Sequence, residues 1–185
     1  LPVTPEANPT EHRYLVRFTK TDAARFLSQH DVRRAWERVT RRGNLPLAYS
    51  RGFNPKPRLS FGPPLSVGAE GHREFMTMAL REPLNTAFVY EQLKTEAIPG
   101  MSVIEMSSIP GRRVQPVWGI YELLVAEASP DLHLRIDQLL NRTSVLITRP
   151  RDPDGRLREI RPGVDDLVIT DPNRIHTRLK LASNE

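Results

Sequence analysis

The chain contains no cysteine. That excludes disulfides, a thiolate nucleophile, cysteine-ligated zinc and iron–sulfur clusters from its chemistry. Long apolar runs are also missing; the longest are about strand length, far short of the roughly 20 residues a membrane-spanning helix needs. Neither GxGxxG nor GxxxxGK[ST] occurs, so the usual glycine-rich phosphate loops are absent. Five histidines are present (His12, His30, His72, His133, His176), none in a metal-ligand spacing such as HExxH. Asp165-Asp166 is a paired acid of the kind that holds Mg²⁺, but paired acids near a turn are ordinarily solvated. No metal and no cofactor is expected. Leu1 to Pro9 carries neither the basic nor the apolar region of a signal peptide, so the expectation is a cytoplasmic protein without a membrane partner.

What is present suffices for a core. The 185 residues are 38% hydrophobic and 26% charged, enough for one large domain or two small ones. The net charge of +5 is unevenly spread. From Arg13 to Gly68 there are 12 Lys/Arg against 3 Asp/Glu, and elsewhere 15 against 19. Solvated surfaces ordinarily mix their signs, so this concentration points to a side facing a polyanion.

Residues 1–11 are polar and Pro-rich and read as a tail or linker. Tyr14, Val16 and Phe18 then alternate with Leu15, Arg17 and Thr19, the period of a strand. Ser28 and Asp31 form a variant capping box ahead of a helix. Its apolar stripe is Val32, Ala35, Trp36 and Val39. Arg34, Glu37, Arg38 and Arg41 fall opposite, with Arg33 and Arg42 on the flanks, and Gly43 is placed to stop the helix. Leu45 to Ser50 is extended. Gly52, Pro55 and Pro57 then forbid a helix, and Asn54-Pro55 is turn chemistry. Tyr49 and Phe53 stand here among Arg51, Lys56 and Arg58. Phe53 is open between a base-stacking surface and a core plug; Phe61 reads as a plug.

A strand over Glu74–Leu80 follows, then a helix over Thr86–Glu96 with Phe88, Val89, Leu93 and Ala97 as its stripe, and a strand from Met101 to Met106. The order from Tyr14 is β-α-β-β-α-β, the ferredoxin-like arrangement. After the linker come a strand over Trp118–Glu127, a helix over Pro130–Asn141, and a strand over Ser144–Thr148. Asp152 to Gly155 predicts a turn that lets Leu157–Arg161 pair back. Val164–Ile169 is either a helical turn or a strand, and Ile175–Leu181 is a last strand. The fold class is therefore α+β, with tandem ferredoxin-like (βαββαβ) halves and the second truncated; the natural chain is expected to run on past Glu185. The boundaries are residues 1–11 for the tail, 12–110 for a ferredoxin-like domain with a basic loop, 111–117 for a linker, and 118–185 for a second, incomplete domain.

The stretch RFLSQHDVRRAWERVTRRGNLPLAYSRGFNPKPRLSFGPPLSVG, Arg25 to Gly68, closely resembles the radical SAM-linked protein family of bacteria. The elements that carry the likeness are RFLS…D, LPLAYS.GFNP.PRLSF and PPL.VG. It is strong from Arg13 to about Pro110 and weaker beyond. The resemblance implies a companion encoded beside, or fused to, a radical SAM protein, often in an RNA-related gene setting that includes ribonuclease E/G. Radical SAM chemistry needs three cysteines, so a partner would have to supply it. Two positions depart from the family's pattern. Gln29 stands where a histidine often follows the serine of RFLS, with His30 next to it, and Lys56 stands where a histidine often lies between the two prolines. The layout is also similar to that of CRISPR repeat-RNA endoribonucleases, which bind RNA across their sheets.

These residues support an RNA-binding or docking accessory protein that works with a radical SAM enzyme and is non-catalytic by itself. Arg34, Arg38, Arg41, Arg51, Lys56 and Arg58 would meet phosphates. Tyr49 and Phe53 would stack on bases, a contact worth ~1–3 kcal/mol each, and Asn54 would hydrogen-bond or turn the chain. Two alternatives stand beside it. One is a protein–protein interaction module docking an acidic partner surface. The other is a metal-independent ribonuclease using His30 as general base for attack by an RNA 2′-hydroxyl.

Overall fold

The computed structural model describes residues 11–110, 114, 116–127, 129–148 and 154–181. The chain divides into two compact units, Leu1–Val114 and Gln115–Glu185. Both are mixed α and β, with every paired strand antiparallel.

In the first unit, β1 (His12–Lys20) is the central strand. It pairs with β3 (Gly71–Leu80) on one side and β4 (Val103–Ile109) on the other, and β2 (Leu59–Phe61) adds to β3. The order β2-β3-β1-β4 leaves one place inside each crossover. α1 (Gln29–Arg42) joins β1 to β2 around β3, and α2 (Thr86–Glu96) joins β3 to β4 around β1. These interleaved crossovers are the split βαβ arrangement expected from the element order.

Alternation in β1 buries Tyr14, Val16 and Phe18 in register with Met78, Met76 and Glu74 of β3. Against that face lie Val32, Ala35, Trp36 and Val39 of α1, and Val89 and Leu93 of α2. The i, i+3, i+4, i+7 stripe of α1 is thus the core stripe. Trp36 is fully buried and meets Phe18 edge-on, ring centroids 5.0 Å apart. Phe61 is half-buried beside Phe18 at 6.5 Å, the plug its sequence context suggested. Thr77 and Ala79 on the opposite face of β3 are also buried, so neither face of that strand is fully open.

The helix ends are set locally. Ser28 Oγ accepts the Asp31 N–H at 3.2 Å and donates to the Asp31 carboxylate at 2.6 Å. Asp is one methylene shorter than the Glu of a usual capping box, and here it takes the cap's hydroxyl proton. That hydrogen bond, aided by the nearby charge of Arg34, holds the Asp31 carboxyl below its ordinary value. At the other end the helix stops at Gly43 as expected, with the left-handed turn one residue later. Gly43 has φ −71°, and the left-handed residue is Asn44 at φ +50°, a conformation asparagine tolerates better than most side chains. Phe88, expected on the inward stripe of α2, is about half exposed. Tyr90 packs against the core instead.

The second unit opens with β5 (Trp118–Leu124) and α3 (Leu132–Leu140). β6 (Leu146–Thr148) and β7 (Leu157–Glu159) form the expected hairpin. Its predicted turn falls partly on Asp152 and Pro153, outside the described residues. β8 (Val164–Asp171) settles the open reading of that stretch as a strand, and β9 (Arg174–Lys180) lies between β5 and β8. Leu132, Ile136, Leu139 and Leu140 are half-buried. Arg161 satisfies the carbonyls at the end of α3, donating to Leu140 O at 2.7 Å and Arg142 O at 3.1 Å. Asp165 is ion-paired to Arg178, and Asp166 accepts the Arg178 N–H at 2.7 Å. This paired acid therefore serves to fasten β8 to β9. The β-α-β opening is compatible with a second, incomplete ferredoxin-like half.

Candidate nucleic-acid interface

Two segments build the site. One is the outward face of α1; the other is the chain between Leu45 and Leu59. Leu45, Leu47 and Ala48 are buried and anchor the second segment beneath the helix. Ala48 N–H donates to Ala79 O at 2.8 Å, and Arg58 N–H donates to Ala48 O at 2.9 Å. The strand-like contacts Leu47–Leu80 and Tyr49–Pro57 continue this pairing. Ser50 closes the loop at its neck: its N–H donates to Lys56 O at 2.8 Å, and its hydroxyl accepts the Lys56 N–H at 2.9 Å. At the apex Gly52 has φ +128°, open to glycine and strained for other residues. Gly52, Pro55 and Pro57 thus shape a protruding loop on a fixed base.

A groove of about 400 Å³ runs between helix and loop. His30, Arg33, Arg34, Glu37 and Arg41 line it from α1, and Tyr49, Pro55, Lys56 and Pro57 from the loop. Four of the nine expected residues meet here: Arg34, Arg41, Tyr49 and Lys56. Tyr49 is 45% exposed. Arg51, Phe53 and Asn54 stand exposed at the loop apex, outside the groove lining. Phe53 is fully exposed, which decides its open reading against a core plug. Arg38 is exposed on α1, also outside the lining. Arg58 turns away to Glu11, with Nη1 at 2.6 Å from the carboxylate.

The groove also holds residues outside the nine: His30, read as the general base of the ribonuclease alternative, Glu37, read on the same face as Arg34 and Arg41, and Arg33, read on the flank. His30, Arg33 or Arg34, Glu37 and Arg41 recur at helical spacing along one edge of α1, a signal legible in hindsight. Arg33 is a strap as well as a wall. Its Nη1 donates to Leu59 O at 2.9 Å, and its guanidinium lies 5.0 Å from the Phe61 ring centroid. It ties α1 to the edge strand β2.

Ion pairing divides the cations of this unit unevenly. Arg13 and Arg58 share Glu11, Arg17 and Arg73 share Glu105, Arg25 meets Glu70, and Arg42 meets Glu96. Arg34, Arg38, Arg41, Arg51 and Lys56 have no carboxylate within 4.0 Å among the described residues. Arg41 Nε donates only to the Glu37 carbonyl, at 3.3 Å. Arg33 has no carboxylate that close either, so α1 and the loop carry six cations without an ion pair among the described residues, four of them in the groove with Tyr49; Lys20, Arg81 and Lys94 are the others in this unit.

The second unit has a separate cavity of about 440 Å³, lined mainly by Pro130, Leu132, His133, Ile169, Asp171 and Pro172. None of the nine expected residues lies in it. Among the described residues no three His, Asp or Glu side chains group closely enough to hold a metal ion. No helix there is long and apolar enough to cross a membrane.

In comparison with known proteins, residues 13–185 match the family described as an uncharacterized protein conserved in bacteria (DUF2344). The match spans both units, and the family's description names no partner enzyme. No curated protein matches the chain.

Proposed function

From a chain that belongs to the DUF2344 family, whose description assigns no activity, we propose an RNA-binding accessory protein, non-catalytic by itself, that grips single-stranded RNA along the groove of its first unit. One observation carries the reading. Arg33, Arg34, Arg41 and Lys56 line the groove together with Tyr49 and have no carboxylate within 4.0 Å among the described residues, whereas Arg13, Arg17, Arg25, Arg42, Arg58 and Arg73 are each ion-paired. Phosphates compensate such cations, and aromatic faces hold unstacked bases. Phe53 at the loop apex extends the path beyond the groove. The radical SAM enzyme implied by the resemblance of Arg25–Gly68 is the partner we propose to act on the bound RNA.

Fluorescence-anisotropy titration tests this with single-stranded RNA, structured RNA and duplex DNA across a salt series. Sub-micromolar binding of single-stranded RNA with a steep salt slope supports it. No binding near physiological salt would make the surface a dock for an acidic protein. RNA cleavage that is lost in His30→Ala would replace the non-catalytic reading with a ribonuclease.

A further inference from the structure

We infer that the groove selects guanine and that Glu37 is the residue that reads the base; this rests on the RNA-binding reading above. Glu37 is the single acid in a lining that otherwise carries His30, Arg33, Arg34, Arg41 and Lys56. Arg33, Arg34 and Arg41 stand at i−4, i−3 and i+4 from it, the spacings at which helical acids and bases ordinarily pair. Among the described residues its carboxylate nevertheless has no ion pair and no side-chain hydrogen bond. Arg33 is occupied by Leu59 O, and Arg41 Nε by the Glu37 main-chain carbonyl. Glu37 thus lines the groove with its carboxylate unpaired among the described residues.

A carboxylate there repels an RNA backbone, so its presence calls for donors on the ligand. An ionised carboxylate offers two acceptor oxygens and no donor. On its Watson–Crick edge guanine presents two adjacent donors, N1–H and N2–H, which match both oxygens at once. Adenine and cytosine offer an amine beside a ring acceptor, and uracil one N–H flanked by two carbonyls. Single-stranded RNA is read on this edge, with bases splayed onto aromatic side chains. Tyr49 supplies such a face in the same groove. Its volume of about 400 Å³ lies toward the small end of ligand cavities, ~300–1,000 Å³, which suits a splayed nucleotide and not a duplex.

The test uses the full chain and labelled uridine pentamers whose central residue is uridine, guanosine, inosine, adenosine or cytidine, titrated by anisotropy at fixed salt. The guanosine pentamer should bind about tenfold tighter than the all-uridine one, within the range of a bidentate base contact. Inosine lacks the N2 amine and should fall between them. Glu37→Gln removes a negative charge and strengthens all five, so the ratio is the readout; it should fall to about twofold or less. Equal binding of all pentamers by the unmodified protein overturns guanine selection and leaves RNA binding standing. Absence of binding at every salt concentration overturns both. A guanosine preference that survives in folded Glu37→Gln, judged by its circular dichroism, removes Glu37 as the reader. Should that variant fail to fold, Glu37→Asp, which keeps the charge and draws the carboxylate back by one methylene, takes its place with the same ratio as readout, and an unchanged ratio removes Glu37 as the reader.

Discussion

Removing Arg34 and Lys56 together should flatten the salt dependence of RNA binding without harming the fold. Both line the groove, and neither has a carboxylate within 4.0 Å among the described residues. For single strands, log K falls with log salt by about 0.7 per phosphate neutralised. Arg34, Arg38, Arg41, Arg51 and Lys56, each meeting one phosphate, give a slope of about −3.5. Affinity would then drop about 130-fold between 50 and 200 mM salt. Arg34→Gln with Lys56→Gln leaves three such cations, a slope of about −2.1 and a drop of about 20-fold. The matched control is Arg17→Gln with Arg73→Gln, which removes two guanidiniums already on Glu105 at 3.6 and 2.9 Å. Anisotropy titrations at four or more salt concentrations read the slopes. If the groove variant keeps the parental slope, or the control flattens it equally, uncompensated charge is not what distinguishes this surface.

Two further outcomes concern the scaffold. Trp36→Ala should cost about 3–5 kcal/mol of unfolding free energy, the range for an emptied aromatic core site, because the indole is fully buried against Phe18; a urea midpoint close to that of the unmodified protein would contradict the packing described. Burial raises the Glu74 carboxyl above its ordinary value, and the charge of Lys20 only partly opposes this. The unfolded chain therefore loses that proton first, and this group's contribution to stability falls as pH rises through the unfolded and then the folded pKa. Glu74→Gln should match the unmodified protein near pH 4 and exceed it at pH 7 in urea midpoints, and a difference independent of pH would refute the assignment.

Much of the first unit is legible from local sequence, because helix and strand periods are set over a few residues. The β1 alternation, the Val32–Val39 stripe and the Ser28 cap all appear as read. Phe88 is read wrongly for a related reason. On a helix it lies about 100° from Val89, and a stripe that includes both is wider than the contact α2 makes. The candidate site is legible in its composition and not in its membership. Arg58 reads as one more basic loop residue, yet its charge is met by Glu11, 47 positions earlier. Glu37 reads as part of a solvated back face, yet it lines the groove because the loop beyond Ser50 folds over that edge of α1.

By itself the sequence determined the elements, their order, the confinement of positive charge to Arg13–Gly68, and the exclusion of cysteine chemistry, all properties of residue type and near-neighbour spacing. Tertiary structure decided which cations stay uncompensated and which side chains share the groove. Ion pairing and enclosure depend on residues far apart in the chain, brought together when β2, β3 and β1 register beneath α1.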